Sequence, residues 1–164
     1  MNTLDDSSML VLLLGRLERL NESMVAGTCS RHGISPGELR VLAMLRHGAG
    51  AEGTRPADIG QWVVQSTGGL AATVGRLEKA GRIERRMDPD DRRARRVLLT
   101  EDGRHFYDTV LSELVQQYAG IVDHIDVGES LAAVRTLIDA FEQAEGRLLS
   151  SGWDPTDTLA GDRP

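Results

Sequence analysis

The chain has 164 residues, 40% of them hydrophobic and 27% charged, which suits one compact domain or one domain with long helical extensions. Its formal net charge of −6 argues against indiscriminate nucleic-acid binding, and the single cysteine, Cys29, excludes an intrachain disulfide framework. The longest apolar run, Met9 to Leu14, is too short to span a bilayer, and the acidic start "MNTLDDSSML" is unlike a signal peptide, so a cytoplasmic protein without membrane contact is expected.

Residues 1–8 read as a flexible N-terminus. From Met9 to about Gly27, Leu10, Leu13, Leu17, Leu20 and Met24 recur at helical spacing. "SPGELRVLAMLRHG" predicts a second helix. Ser35 suits the N-cap, Pro36 the first helical position, and Glu38 completes a capping box. Leu39, Leu42, Ala43 and Leu45 form its apolar stripe, and Gly48 ends it. "GAGAEGTR" reads as a flexible linker. Gly48, Gly50 and Gly53 match a dinucleotide-binding spacing, but that fingerprint needs a preceding strand, and here a helix precedes.

Pro56 opens a short helix, "PADIGQWV". Ser66 suits the N-cap of the next, "STGGLAATVGRLEKA", which stops at Gly81 and buries Leu70, Val74 and Leu77. Two short helices so joined form a helix-turn-helix pattern. "RIERRM" and "RRVLL" then read as strands with Ile83 and Val97 facing inward; a long loop joins them into a two-stranded wing. Thr100 caps another helix, with Glu101 and Asp102 in its first turn. Phe106, Val110, Leu114, Tyr118, Val122 and Ile125 continue it. Gly128 breaks the pattern, and a last helix carries Leu131, Val134, Leu137, Ile138, Phe141 and Leu148. Residues 150–164 read as a flexible tail.

The fold class expected is therefore mainly α with a small β-wing. A winged helix-turn-helix spans 35–103, and N- and C-terminal helices at 9–34 and 104–149 carry more apolar surface than so small a domain can cover, which points to a homodimer. Charge is distributed unevenly. From Arg76 to Arg96 nine Lys and Arg face five Asp and Glu, and "DPDDRRARR", Asp88 to Arg96, sets four arginines among three aspartates in an otherwise acidic chain.

"LEKAGRIERRMDPDDRRARRVLLTEDG", Leu77 to Gly103, closely resembles the signature of the MarR family of winged-helix transcription regulators. The matching positions include Leu77-Glu78, Gly81, Ile83, Asp88, Asp91-Arg92-Arg93, Leu99-Thr100 and Gly103. Ser66-Thr67-Gly68-Gly69-Leu70 is similar to the branch holding the PecS and urate-responsive regulators, although Ala71, Thr73 and Gly75 stand where that branch has Thr, Arg and Asp. The resemblance implies a homodimer whose first and last helices intertwine, with one winged helix per subunit on DNA.

On that resemblance the Ser66 helix lies in the major groove, and Ser66, Thr67, Gly69, Leu70, Thr73 and Arg76 are its candidate DNA contacts. Leu70 fits a buried stripe equally well, and Arg76 a solvated helix position. The family pattern assigns Arg93 to the narrow, negative minor groove, with Asp91 bonding inside the wing to aim it. Arg86, Arg92, Arg95 and Arg96 are candidate phosphate contacts. The competing reading of the stretch is a solvated, self-paired charge run. Family members bind ligands between the dimer helices and the DNA-binding lobe, where Cys29, His32, Arg40, Trp62 and Tyr107 are the candidates. Arg40 would pair with a ligand or, preferentially, with an acid on the first helix. Cys29 is an oxidation sensor only if its thiol is accessible and its pKa depressed.

No Ser-His-Asp set, P-loop or paired zinc ligands are present, and the four histidines lack metal-ligand spacing, so neither enzyme, cofactor nor metal is expected. The function expected is a homodimeric, sequence-specific DNA-binding regulator of transcription. Its partners are a palindromic double-stranded operator, a second copy and a small-molecule effector. It would be a repressor released by that ligand or by an oxidant. The alternative is a winged-helix protein-interaction scaffold without DNA readout, which the glycines and alanines of the second short helix favour.

Overall fold

The computed structural model describes residues 5–48, 53–63, 67–91 and 93–145, except for the side chains of Gln61, Trp62, Thr67, Glu142, Ala144 and Glu145. Six helices and one two-stranded sheet are present among them.

Polar caps set the helix starts. α1, Asp6–Arg31, begins three residues before the apolar pattern does, because the Asp5 carboxylate accepts the Ser8 N–H at 2.7 Å. It also runs four residues beyond Gly27, until Gly33 at φ 67° turns the chain away. α2, Pro36–His47, starts on the expected capping box: the Ser35 hydroxyl accepts the Glu38 N–H, and the Glu38 carboxylate accepts the Ser35 N–H at 2.7 Å. Gly48 caps its end.

The linker reading fails at its last residues. Gly53 adopts φ 79°, and a side chain there would meet Val97 O at 2.7 Å. Thr54 exchanges two backbone hydrogen bonds with Val97, 3.0 and 2.8 Å, so it extends the wing sheet by one bridge. α3, Pro56–Val63, and α4, Thr67–Lys79, follow, with Ser66 outside the described residues. β1, Ile83–Met87, pairs antiparallel with β2, Arg95–Leu99, in the register Ile83 to Leu99 through Met87 to Arg95.

α5, Glu101–Val122, starts on Thr100, whose hydroxyl accepts the Gly103 N–H at 2.9 Å. Gly103 is required for packing: a Cβ there would lie 1.8 Å from the Arg82 carbonyl oxygen. The sequence places the next break at Gly128 and Ile125 within the preceding helix. Instead the chain leaves α5 at Asp123, and α6, Val127–Glu145, contains Gly128 in its first turn. The reason is Asp126, whose carboxylate accepts the Glu129 N–H at 2.9 Å and caps the new helix before the glycine is reached. Leu148 lies outside the described residues.

α2 is the centre of the core. Val41 and Leu42 are fully buried, together with Ile59 of α3, Leu77 of α4, Val97 of β2 and Val110 of α5. Ile83 and Val97 face inward as expected. The long arms differ: Leu10, Leu13, Leu17 and Leu20 of α1, and Leu131, Val134, Ile138 and Phe141 of α6, are all at least 44% exposed. Among the described residues no helix is long and apolar enough to cross a membrane.

Candidate nucleic-acid interface

α4 is the second helix of the helix-turn-helix and buries one side at helical spacing: Leu70, Thr73, Val74 and Leu77. Two candidate DNA contacts are therefore core residues. Leu70 is 5% exposed and Thr73 4%. The Thr73 hydroxyl donates to Gly69 O at 2.9 Å and accepts from Arg76 Nη2 at 3.3 Å, so it serves the helix rather than a base. Arg76 is pinned as well, its Nε donating to Glu38 Oε1 at 3.0 Å. That tie links the start of α2 to the end of α4. Burial is the largest single effect on Glu38 and pushes its pKa up, but the Ser35 and Arg76 hydrogen bonds and the Arg76 charge together outweigh it and hold the carboxyl below its ordinary pKa. Gly68, Gly69, Ala71, Ala72 and Gly75 remain on the exposed face. The side chain of Thr67, and all of Ser66, lie outside the description.

The wing is organised around Asp88, which is 1% exposed. Its carboxylate accepts Arg55 Nε at 2.7 Å, Arg96 Nη2 at 3.3 Å and the Asp90 N–H at 3.0 Å. Arg96 and then Arg55 hold its pKa far below the ordinary carboxylate value. Arg96 also reaches Asp90 at 3.3 Å, so it belongs to the scaffold and is not a free phosphate contact. The sequence shows Asp88 only in the charge run and the family resemblance, and no local signal marks Arg55; its partner is 33 residues away. Together the two arginines fix the wing base to the segment leading into α3.

Asp91 bonds inside the wing: its carboxylate accepts the Arg93 backbone N–H at 2.9 Å, and its carbonyl accepts the Ala94 N–H at 2.9 Å. Arg93 and Arg95 are exposed and make no ion pair among the described residues. Arg86 is exposed but paired with Glu84 at 2.5 Å. Arg92 lies outside the described residues. The charge run thus divides: Arg96 is consumed by internal carboxylates, while Arg93 and Arg95 stay exposed beside them.

The effector candidates have different surroundings among the described residues. Cys29 is 0% exposed, and burial pushes its thiol pKa up, the opposite of a reactive thiolate. The oxidation-sensor reading is not supported by that placement. Tyr107 is buried too; its hydroxyl lies 3.1 Å from His47 Nε2, and burial pushes its pKa up to about 12. His32 Nε2 lies 2.7 Å from Glu113 Oε2, with its ring edge-on to Phe106. Arg40 is exposed and forms no ion pair with α1 among the described residues, so the expected tie of α2 to α1 is not seen there; Arg31 at the end of α1 and its C-cap His32 instead pair with Glu113 of α5. The Trp62 side chain lies outside the description. Sequence reasoning missed Glu113, Gln117 and Arg82. Gln117 donates to the buried Thr28 hydroxyl at 2.9 Å, and the Arg82 guanidinium stacks 3.5 Å over Phe106. A cavity of about 340 Å³ opens elsewhere, between the outer wing face and the start of α5, lined by residues including Arg86, Leu98 and Arg104.

Comparison with known proteins agrees with this geometry. The MarR family profile matches residues 32–94, the span from the end of α1 into the wing loop. The transcriptional activatory protein BadR of Rhodopseudomonas palustris is 29% identical over 90 residues, covering 55% of this chain and 51% of BadR. The aligned part is therefore about half the length of that relative. Among solved structures, CouR from Rhodococcus jostii RHA1 bound to p-coumaroyl-CoA superposes with a TM-score of 0.69 at 21% identity, covering 85% of this chain and 92% of CouR. The S. aureus MepR–DNA complex superposes at 0.66 and 16%, covering 81% and 96%. At these identities the two structures speak for the fold.

Proposed function

The chain belongs to the MarR family of transcription regulators, which are not enzymes, and from that premise we propose that it is a homodimeric, sequence-specific DNA-binding protein. The observation that carries the reading is the division of the wing arginines. Asp88 and Asp90 hold Arg96, and Asp91 fixes the backbone of Arg93, so Arg93 is presented on a stiff tip. With its backbone already held, Arg93 loses less conformational freedom when its side chain enters a narrow minor groove. Carboxylates beside arginines would weaken a binder that relied on charge alone; they suit one that relies on geometry.

The dimer reading rests on the apolar faces of α1 and α6, which a second copy would bury. Twofold symmetry would present two α4 helices to half-sites about one helical turn, roughly 10 bp, apart, and hence to a palindromic operator. The role proposed is a repressor acting in the cytoplasm, released by a small-molecule effector. The buried thiol of Cys29 favours a ligand over an oxidant. BadR is by name an activator, and the same dimer would activate where its site lies upstream of the promoter rather than over it. Winged domain (35–103) and dimer arms (9–34 and 104–149) would move against each other through α2, which packs on α1 and α5.

Fluorescence anisotropy on the DNA upstream of its own gene, at several salt concentrations and with random DNA as competitor, tests the reading. Binding should resist competitor and fall with salt, with a log–log slope of about −0.9 per neutralised phosphate. Equal affinity for random DNA would overturn specific regulation and leave the protein-scaffold reading ahead.

A further inference from the structure

Resting on the reading of α4 as the groove helix, the exposed face of that helix has a property of its own. From Gly68 to Gly75 every exposed residue is glycine or alanine: Gly68, Gly69, Ala71, Ala72 and Gly75. The one hydroxyl in that span, on Thr73, is turned inward. Arg76 is engaged by Glu38, and Lys79 stands about 16 Å along the axis from Gly68 at 1.5 Å per residue. Direct reading of guanine uses Arg or Lys, and of adenine Asn or Gln. This stretch supplies none of them. What it supplies is close approach and methyl groups.

We infer that α4 reads thymine: Ala71 and Ala72 pack their methyl groups against thymine C5-methyls in the major groove, and the glycines let the helix backbone come close enough for that contact. Gly68 and Gly75 have open space where a Cβ would stand, so nothing inside the fold requires glycine there. Their smallness serves the outer surface. Ala71 and Ala72 are then specificity-determining residues, and the operator half-sites are thymine-rich beneath α4 and A·T-rich beneath the wing.

The test begins with selection of bound duplexes from a random 30-bp pool by the full-length protein, with about 30 bp covering two half-sites. Each thymine of the selected half-site is then replaced by deoxyuridine, which removes only the methyl group. At contacted positions affinity should drop about fourfold per methyl, the effect of one buried methyl-sized group. Ala72→Gly should weaken the parent site similarly, and should abolish the effect of deoxyuridine at its partner position. Because that variant also loses helix propensity, its melting temperature is measured alongside; the deoxyuridine series leaves the protein untouched. Selection of a motif with invariant G·C pairs beneath α4, or full insensitivity to deoxyuridine, would overturn the inference and leave specific DNA binding standing. Failure to enrich any motif would remove both.

Discussion

The winged domain and the long arms use the same side chains to opposite effect. Leu42 and Leu77 are fully buried within one chain, whereas Leu13 and Ile138, of the same chemistry and on equally regular helical stripes, are 53% and 50% exposed. In the first region α2, α3, α4 and β2 close around one another. In the second, α1 and α6 offer apolar faces that the described residues of their own chain leave exposed. The difference teaches that a helical stripe records burial without naming the partner. The fold of the winged domain is a local matter, while the arms are incomplete without a second surface.

Substitutions sharpen that contrast. The largest effect is expected in the closed region, from Gly103→Ala. The added Cβ would meet the Arg82 carbonyl at 1.8 Å, and backbone has nowhere to move. A loss of about 4 kcal/mol or more, read from urea unfolding, is expected. A loss below about 1 kcal/mol would show that the α5 start is looser than its packing implies. In the open region, Leu17→Asp combined with Ile138→Asp should leave the winged domain folded by circular dichroism. It should weaken self-association about a hundredfold in sedimentation, since each copy would bring unpaired carboxylates to an apolar interface. The unfolding midpoint of the parent should rise with protein concentration, and that of the double variant should not. If both behaved alike, the arms would not be the dimer surface.

Arg93→Ala comes next. It should weaken operator binding by about 1–3 kcal/mol and leave stability and dimerisation unchanged, because Arg93 is exposed and makes no ion pair among the described residues. Arg55→Ala should act in the reverse order. It removes a partner from buried Asp88 and loosens the wing base, so the midpoint of unfolding falls first and affinity follows. Equal affinity for Arg93→Ala and the parent would show that the stiff loop serves something other than DNA.

How much of this the sequence carries depends on range. The capping box at Ser35 and Glu38, the cap at Thr100, the strand pair around Ile83 and Val97, and the Asp91 bond to the Arg93 backbone are all short-range events, and their signals stand beside them in the chain. Arg55 with Asp88, and His32 with Glu113, join residues 33 and 81 apart, and no local pattern announces them. Between these lie positions with two uses. Leu70 and Thr73 suit either groove or core by type, and only the orientation of α4 against α2 and α3 decides for the core. Gly128 is a third kind of case: glycine as a breaker is a sound expectation, but a capping aspartate two residues earlier restarts the helix first.

The finest distinction concerns two carboxylates, one from each region. Asp88 lies in the winged domain and is held well below its usual pKa by Arg96 and Arg55. Glu113 lies on α5, where His32 and then Arg31 of α1 hold it down in the same direction. In both the charged form is favoured by folding. Each contribution is therefore fully present above the unfolded pKa, about 4, and is lost as pH falls from there toward the folded value. Asp88→Asn and Glu113→Gln should both flatten the dependence of the urea midpoint on pH below about 4. The effect should be larger for Asp88, whose side chain is fully enclosed, than for Glu113, which is one-third exposed and screened by solvent. Raising salt from about 0.1 to 1 M should shrink the Glu113 effect and spare more of the Asp88 effect. Were Glu113 instead as insensitive to salt as Asp88, its environment in solution would have to be drier than one chain makes it. A second copy lying across the junction of α1 and α5 would supply that dryness.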